Sequence, residues 1–298
     1  MPAIDKSRSL IRIIPAQKVS DGAGVKILRS IGLTEQLRLD PFLMLDCFGS
    51  DQPADYLAGF PAHPHRGFET VTYMLDGHML HQDHLGNIGH LKSGGVQWMT
   101  AGRGIIHSEM PQQQDGLMRG FQLWLNLPSA EKMTAPAYVD LSPEQLRHIQ
   151  LPGGGSAVLI AGELVLSQGD RFTGPIQGLS TEPLYLDVKL QAGEALSLQL
   201  PETHQALIYP FEGELRYQQH LLKSHQAGIL GTGELLHLQA EQAVRLLILA
   251  ARPLGEPVVQ YGPFVMNTVA EIEQALQDYR AGTLTDGAAA LIEPKPMR

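Results

Sequence analysis

The sequence predicts an all-β fold, arranged as two tandem β-barrels with a few short helices. Three observations carry that expectation. First, 31 glycines and 20 prolines punctuate the 298 residues, cutting the apolar segments into short runs bounded by turn residues. Second, several of those runs are rich in β-branched and aromatic residues, which suit a pleated surface. Third, Tyr73-Met-Leu-Asp-Gly77 is echoed by Tyr209-Pro-Phe-Glu-Gly213, an offset of 136 residues and close to half the chain. Strands this short and numerous close into barrels or stack as sandwiches. A repeat of half the chain places one such body in 1–135 and another in 136–298.

Taken in order, residues 70–75 (TVTYML) read as a strand. Asp76-Gly77 supplies a turn in which glycine tolerates positive φ, and 78–83 returns antiparallel. Gly86, Gly89, Gly94 and Gly95 mark further reversals, and 96–100, 104–110 and 121–127 read as strands. Ser142-Pro143-Glu144-Gln145 combines an N-cap with a proline in the first turn and opens a short helix. Thr268-Val-Ala-Glu271 is a capping-box pattern. Val269, Ile272, Leu276 and Tyr279 follow it at helical spacing, which predicts a terminal helix over about 268–280 docked on a sheet. From Gly282 to Arg298 the periodicity fades, as in a tail that runs over the surface.

Net charge is −9 and no block of Lys or Arg occurs, which argues against a nucleic-acid or membrane surface built on charge. Cys47 is the single cysteine, so no internal disulfide forms, and without a nearby partner it reads as an inert core thiol. The first residues lack the apolar stretch of a signal peptide, and no apolar run is long enough to span a bilayer. A cytoplasmic chain is expected. No P-loop, Gly-x-Gly-x-x-Gly or Gly-x-Ser-x-Gly is present, leaving phosphoryl transfer, dinucleotide binding and hydrolase readings without support.

The chemistry concentrates elsewhere. Seven of the 12 histidines fall between positions 63 and 107. In a strand, residues i and i+2 share a face, so His63 and His65 project together, as do His107 and Glu109. On two neighbouring strands of one barrel, all four would converge inside. Pro64 disfavours helix at His63 and suits a strand start or edge. Gly104-Ile-Ile-His-Ser-Glu-Met110 alternates as a strand should. Three imidazoles and a carboxylate suit iron, nickel, copper, manganese or zinc, not calcium or magnesium. Four ligands in an octahedron leave two open positions, which favours Fe(II) over a closed structural zinc. Sliding the repeat by its offset puts Gln199, Pro201 and Gln205 at the places of His63, His65 and Glu69, so one metal per chain is expected. His204, His220, His225 and His237 lack the paired spacing and read as ordinary histidines.

His63-Pro-His-Arg-Gly-Phe-Glu-Thr-Val-Thr-Tyr73 resembles the first motif of a cupin, and more narrowly of the pirin family. Asp40-Pro-Phe-Leu-Met-Leu-Asp46, Gln97-Trp-Met-Thr-Ala-Gly-Arg-Gly104, His107-x-Glu109-Met-Pro, Leu123-Trp-Leu-Asn126, Ser129-x-Glu-Lys-Met133 and Gly262-Pro-Phe-Val-Met-Asn267 are similar to pirin segments in order along the chain. The resemblance implies a bicupin of two jelly-roll-type barrels, with iron held in the first by His63, His65, His107 and Glu109. It also implies that Glu69 is not the metal carboxylate and instead orients a ligand histidine or holds Arg66. Arg66, Glu69, Gln97, Gln122 and Trp124 are expected beside the pocket, Trp98 in the core or at its mouth, and His78, His81, His84 and His90 at the surface or behind the ligands. Asp46, in an apolar run, needs a partner if buried.

Three functions follow as expectations. The resemblance implies a quercetin 2,3-dioxygenase, taking a small aromatic substrate and O2, with Glu109 as the catalytic proton acceptor. The alternative is an iron-dependent redox-sensing protein that binds a transcription regulator or a metabolic enzyme. The third is a dioxygenase for a different aromatic compound.

Overall fold

The computed structural model describes residues 6–285, which divide into two units of antiparallel strands. Strand β1 (Leu10–Pro15) pairs with Gln226–Leu230 and so joins the second half of the sequence. The other unit contains β2 (Gln17–Asp21), β3 (Val25–Arg29), β4 (Phe42–Ser50), β5 (Phe60–His65), β6 (Phe68–Asp76), β7 (His78–Asp83), β8 (Ile88–Lys92), β9 (Val96–Thr100), β10 (Ile105–Pro111), β11 (Met118–Asn126) and β12 (Ala137–Leu141). It also takes 254–285, which the sequence had placed with the second barrel. A cut at 135/136 therefore follows neither unit. Strand edges expose unpaired N–H and C=O groups, and here β1 satisfies the edge of Gln226–Leu230 rather than one in its own half.

In this unit a seven-stranded sheet runs in the order β12-β9-β6-β11-β4-β3-β2, and a four-stranded sheet runs β5-β10-β7-β8. Val25, Ile27, Phe48, Met74, Met79, Leu91 and Met118, drawn from both sheets, pack together between them. Period-two alternation decides what else faces that interior. Across β6 and β11, Thr72 lies opposite Gln122 and Thr70 opposite Trp124. The row continues across β4, where Asp46 pairs with Gln122 and Met44 with Trp124, and reaches Arg29 on β3 opposite Asp46.

The second unit repeats the design, with a seven-stranded and a four-stranded sheet. Its interior is filled by leucines, among them Leu186, Leu196, Leu198, Leu236, Leu238 and Leu246. The strands Ala195–Gln199 and Leu235–Gln239 pair with Leu198 opposite Leu236.

The predicted terminal helix is α1 (Val269–Ala281), and Thr268 and Glu271 form the expected capping box. Its buried residues are Ile272 and Ala275, whereas Val269 and Tyr279 are 61% and 42% exposed. The docked stripe is narrower than the spacing suggests: Ile272 and Ala275 pack chiefly on the small hairpin Val259–Tyr261/Phe264–Met266, through Phe264 and Met266. The mid-chain helix is a single 3-10 turn, Pro143–Gln145. The tail's last residues, 286–298, lie outside the described residues.

Lys132 ties this unit together. It is 1% exposed, and its Nζ donates to the Gly67 carbonyl at 2.7 Å, Asn126 Oδ1 at 2.7 Å and the Val265 carbonyl at 3.0 Å. The turn after β5, the end of β11 and the hairpin are thereby joined. Burial lowers its ammonium pKa to about 8. Lys132→Ala leaves three acceptors without this donor and is expected to cost roughly 3 kcal/mol. Urea denaturation followed by tryptophan fluorescence reads this directly, since Trp98 and Trp124 are the chain's two tryptophans and both lie in this unit.

Candidate metal centre

Strand β5 is the edge of its sheet, where a proline inside a strand is tolerated because no ladder donor is needed. Its inner neighbour is β10, with His107 directly opposite His63 and Ile105 opposite His65. The three rings meet with centroids 4.4–4.9 Å apart, and one nitrogen from each lies within 4.8 Å of the others. The His63 Nδ1–H donates to the Pro61 carbonyl at 2.8 Å, which leaves the Nε2 lone pair free. That Nε2 lies 3.0 Å from His65 Nε2, a distance at which two bare lone pairs repel unless a proton or a cation lies between them. His107 Nε2 is buried and has no hydrogen-bond partner among the described residues.

Burial, reinforced by the neighbouring imidazoles, holds His65 and His107 well below the ordinary histidine range, and burial also lowers His63. The rings are therefore neutral near pH 7, the form that binds metals. Converging neutral nitrogens, one of them an orphaned buried atom, fit a divalent transition metal. Among the described residues this is the one grouping of three such side chains.

Glu109 lies outside that trio. The pairing of β10 with β5 slips between His107 and Glu109, leaving Glu109 opposite Phe60, while the pairing with β7 stays regular and sets Glu109 opposite His81. The extra residue of that shift lies in β5, so the alternation along β10 itself is kept. Glu109 is buried in the same cavity, where Thr72 Oγ1 lies 3.1 Å from its Oε1 and 2.6 Å from Gln122 Oε1. Burial pushes its carboxyl up to about 7, with the Thr72 hydrogen bond pulling the other way.

The cavity holds about 600 Å³. His63, His65, Glu109, Thr72 and Gln122, with Arg29, Asp46 and Asp21, are among its polar lining, and Met44, Phe48, Phe60, Met79 and Trp124 among its apolar walls. Trp124 meets His65 edge-on at 5.2 Å and lies against Phe68 at 4.3 Å. Asp46 has the partner it requires: Arg29 grips it with two bonds of 2.8 and 2.7 Å and also reaches Asp21. Cys47 is buried, and burial raises its thiol to about 12.

Of the expected pocket residues, Gln122 and Trp124 line the cavity, while Arg66, Glu69 and Gln97 are absent from its lining. Glu69 is one residue out of phase with Thr70 and Thr72, so it points to the other side of β6 and accepts from Thr100 Oγ1 at 2.8 Å. It does not hold Arg66, which pairs with Asp278 on α1 at 2.7 Å and donates to the carbonyls of Arg103 and Leu284. Gln97 lies on the same row as Thr72, but Asp140 stands opposite it on β12 and takes its amide at 2.8 Å. Trp98 is buried. Of the intervening histidines, His78 and His90 pair at the surface at 2.9 Å, His84 accepts from the Ile106 amide at 3.3 Å, and His81 is buried beside His107. Thr72, Arg29 and Met44 were not anticipated, although counting by twos along their strands marks them.

Two cupin-type barrels in one chain, one with a histidine trio and one filled with leucine, define a bicupin. The pirin family profile matches residues 24–125, and that of the pirin C-terminal cupin domain matches 185–285. The chain is 50% identical over 281 residues to a Pseudomonas aeruginosa protein named "putative quercetin 2,3-dioxygenase", covering 93% of this chain and 98% of that one. It is 40% identical to human pirin over 281 residues, 92% of this chain and 93% of that one. A crystal structure of quercetin 2,3-dioxygenase from Acinetobacter baumannii superposes with a TM-score of 0.86 at 33% identity, covering 94% of this chain and 99% of that one. The chain belongs to the pirin family.

Glu69 offers a pH test that is separate from the centre. Burial raises its carboxyl from 4.5 to about 7, against the Thr100 bond. For a raised acid, the folded state favours the protonated form; its contribution to stability is full below 4.5 and is lost as pH rises through 7. The wild type is expected to lose up to about 3 kcal/mol from this residue between pH 4.5 and 8. Glu69→Gln should flatten that slope in urea midpoints measured across the range.

Proposed function

We propose that this protein is a metal-dependent dioxygenase of the quercetin 2,3-dioxygenase type, acting on a hydroxylated aromatic ring with O2. The observation that carries the reading is the cluster of three neutral imidazoles, two of which, His63 and His65, line a cavity walled by Trp124, Phe60 and methionines. His63, His65 and His107 would hold the ion, with Glu109 as the fourth ligand, and Fe(II) is the metal we assign. When bound, such an ion supplies a Lewis acid and a redox centre for the reaction of an electron-rich ring with O2.

The chain's own groups do the rest. Trp124 and Phe60 offer faces on which a flat ring can stack, and with Met44 and Met79 they keep water from the reacting end. Arg29 is the one Lys or Arg in the lining, and Asp46 and Asp21 already occupy it. The cavity therefore presents no spare cation to an aromatic carboxylate, whereas its carboxylates and amides can accept from phenolic hydroxyls. Glu109 is positioned to take the substrate hydroxyl's proton on Oε2, the oxygen not engaged by Thr72. The Thr72 hydroxyl is the group within hydrogen-bond reach of Oε1.

Iron-loaded protein mixed with quercetin in air is expected to consume the flavonol's visible absorbance and release carbon monoxide, and metal-free protein to do neither. Glu109→Gln should keep part of the metal but lose about a hundredfold or more in turnover; full activity in that variant would refute the proton-acceptor assignment. Loss of quercetin that does not depend on metal, or none at all, would instead favour a redox-sensing protein, to be tested by partner capture with reduced and oxidised iron.

A further inference from the structure

His81 is a buried group beside the candidate centre to which the proposed chemistry gives no task. We infer that it positions His107: its Nδ1 accepts the Nδ1–H of His107 and so fixes His107 with a bare Nε2 facing the ion. The inference rests on the metal-centre reading above. His81 is 1% exposed and lies on β7 opposite Glu109. The two Nδ1 atoms are 3.3 Å apart and the ring centroids 4.9 Å apart.

A neutral imidazole carries one proton, and the hydrogen bond made by one nitrogen sets the role of the other. If His81 accepts, its own Nε2 carries a proton, and if it donates, His107 keeps its proton on Nε2; neither buried atom has an acceptor among the described residues, so what separates the two cases is the proton at His107 Nε2. A proton there would block ligation beside His63 and His65. If His81 accepts, the lone pair of His107 Nε2 is free where the other two imidazoles converge. His63 follows the same rule with a backbone acceptor, the Pro61 carbonyl behind its Nδ1. Acceptors in this position hold a ligand ring in orientation and make it more basic, and their loss typically costs 10–100-fold in metal affinity.

Two substitutions separate this role from simple packing. His81→Phe keeps a ring but has no acceptor, whereas His81→Asn places an amide oxygen about where Nδ1 stood. Zn(II) affinity is measured by chelator competition, and thermal melts of the metal-free proteins check that each variant folds. Nitrogen-15 NMR of the metal-free wild type reads which nitrogen of His107 is protonated. His81→Phe is expected to lose Zn(II) affinity by roughly 10–100-fold and His81→Asn to stay within about threefold, with the His107 proton on Nδ1. The assignment is overturned if His81→Phe binds Zn(II) like the wild type, if His81→Asn falls as far as His81→Phe, or if His107 is protonated on Nε2. A wild type that takes up no Zn(II) while His107 keeps its proton on Nδ1 overturns the metal-centre reading, and the positioning role with it, but leaves the histidine pairing intact.

Discussion

The antiparallel pairing of β5 with β10 is the constraint on which the rest of the first unit depends. It sets His107 across from His63 and leaves His65 one step along on the same face. A slip of one residue would turn either strand's side chains to the opposite face, and the trio would be lost. The register is backed at the end of β5. Lys132 ties down the turn after β5 through the Gly67 carbonyl, and Arg66, next to His65, is anchored to Asp278 on α1. Helix α1 and the hairpin before it thus brace the ligand-bearing strand, which gives the C-terminal segment a structural reason to join this unit.

Around that pair the interior divides by polarity. The row Arg29, Asp46, Gln122 and Thr72 crosses four strands, and each member is matched to a neighbour. Unmatched polar atoms in a buried barrel are costly; His107 Nε2 is one of several among the described residues, and it lies where a cation would remove that cost. The second unit shows the same architecture with an interior in which leucine predominates among other apolar side chains.

Much of this could be read from the chain. The paired spacings His63/His65 and His107/Glu109, the edge-strand proline between the first two, the capping box at Thr268 and the half-chain repeat are all local patterns with physical causes. The family resemblance added the bicupin architecture and moved Glu69 out of the ligand set. Its actual surroundings follow from strand parity: one position from Thr70, it faces Thr100. Gln97 has the right parity and is still drawn away, because Asp140 stands opposite it. No local pattern announces that competitor, which lies 43 residues further on.

By itself, then, the sequence determined the strand-rich class, the metal-binding residue types and the face each strand presents, since period-two alternation and turn chemistry are properties of short segments. Tertiary structure decided what depends on partners distant in the chain. It set the register shift that leaves Glu109 opposite Phe60, the exchange of terminal segments between the units, the closure of Arg29 by Asp46 and Asp21, and the burial of His81 against His107. Those outcomes depend on which strand satisfies which edge and which polar group finds which partner, and only the folded chain brings those candidates together.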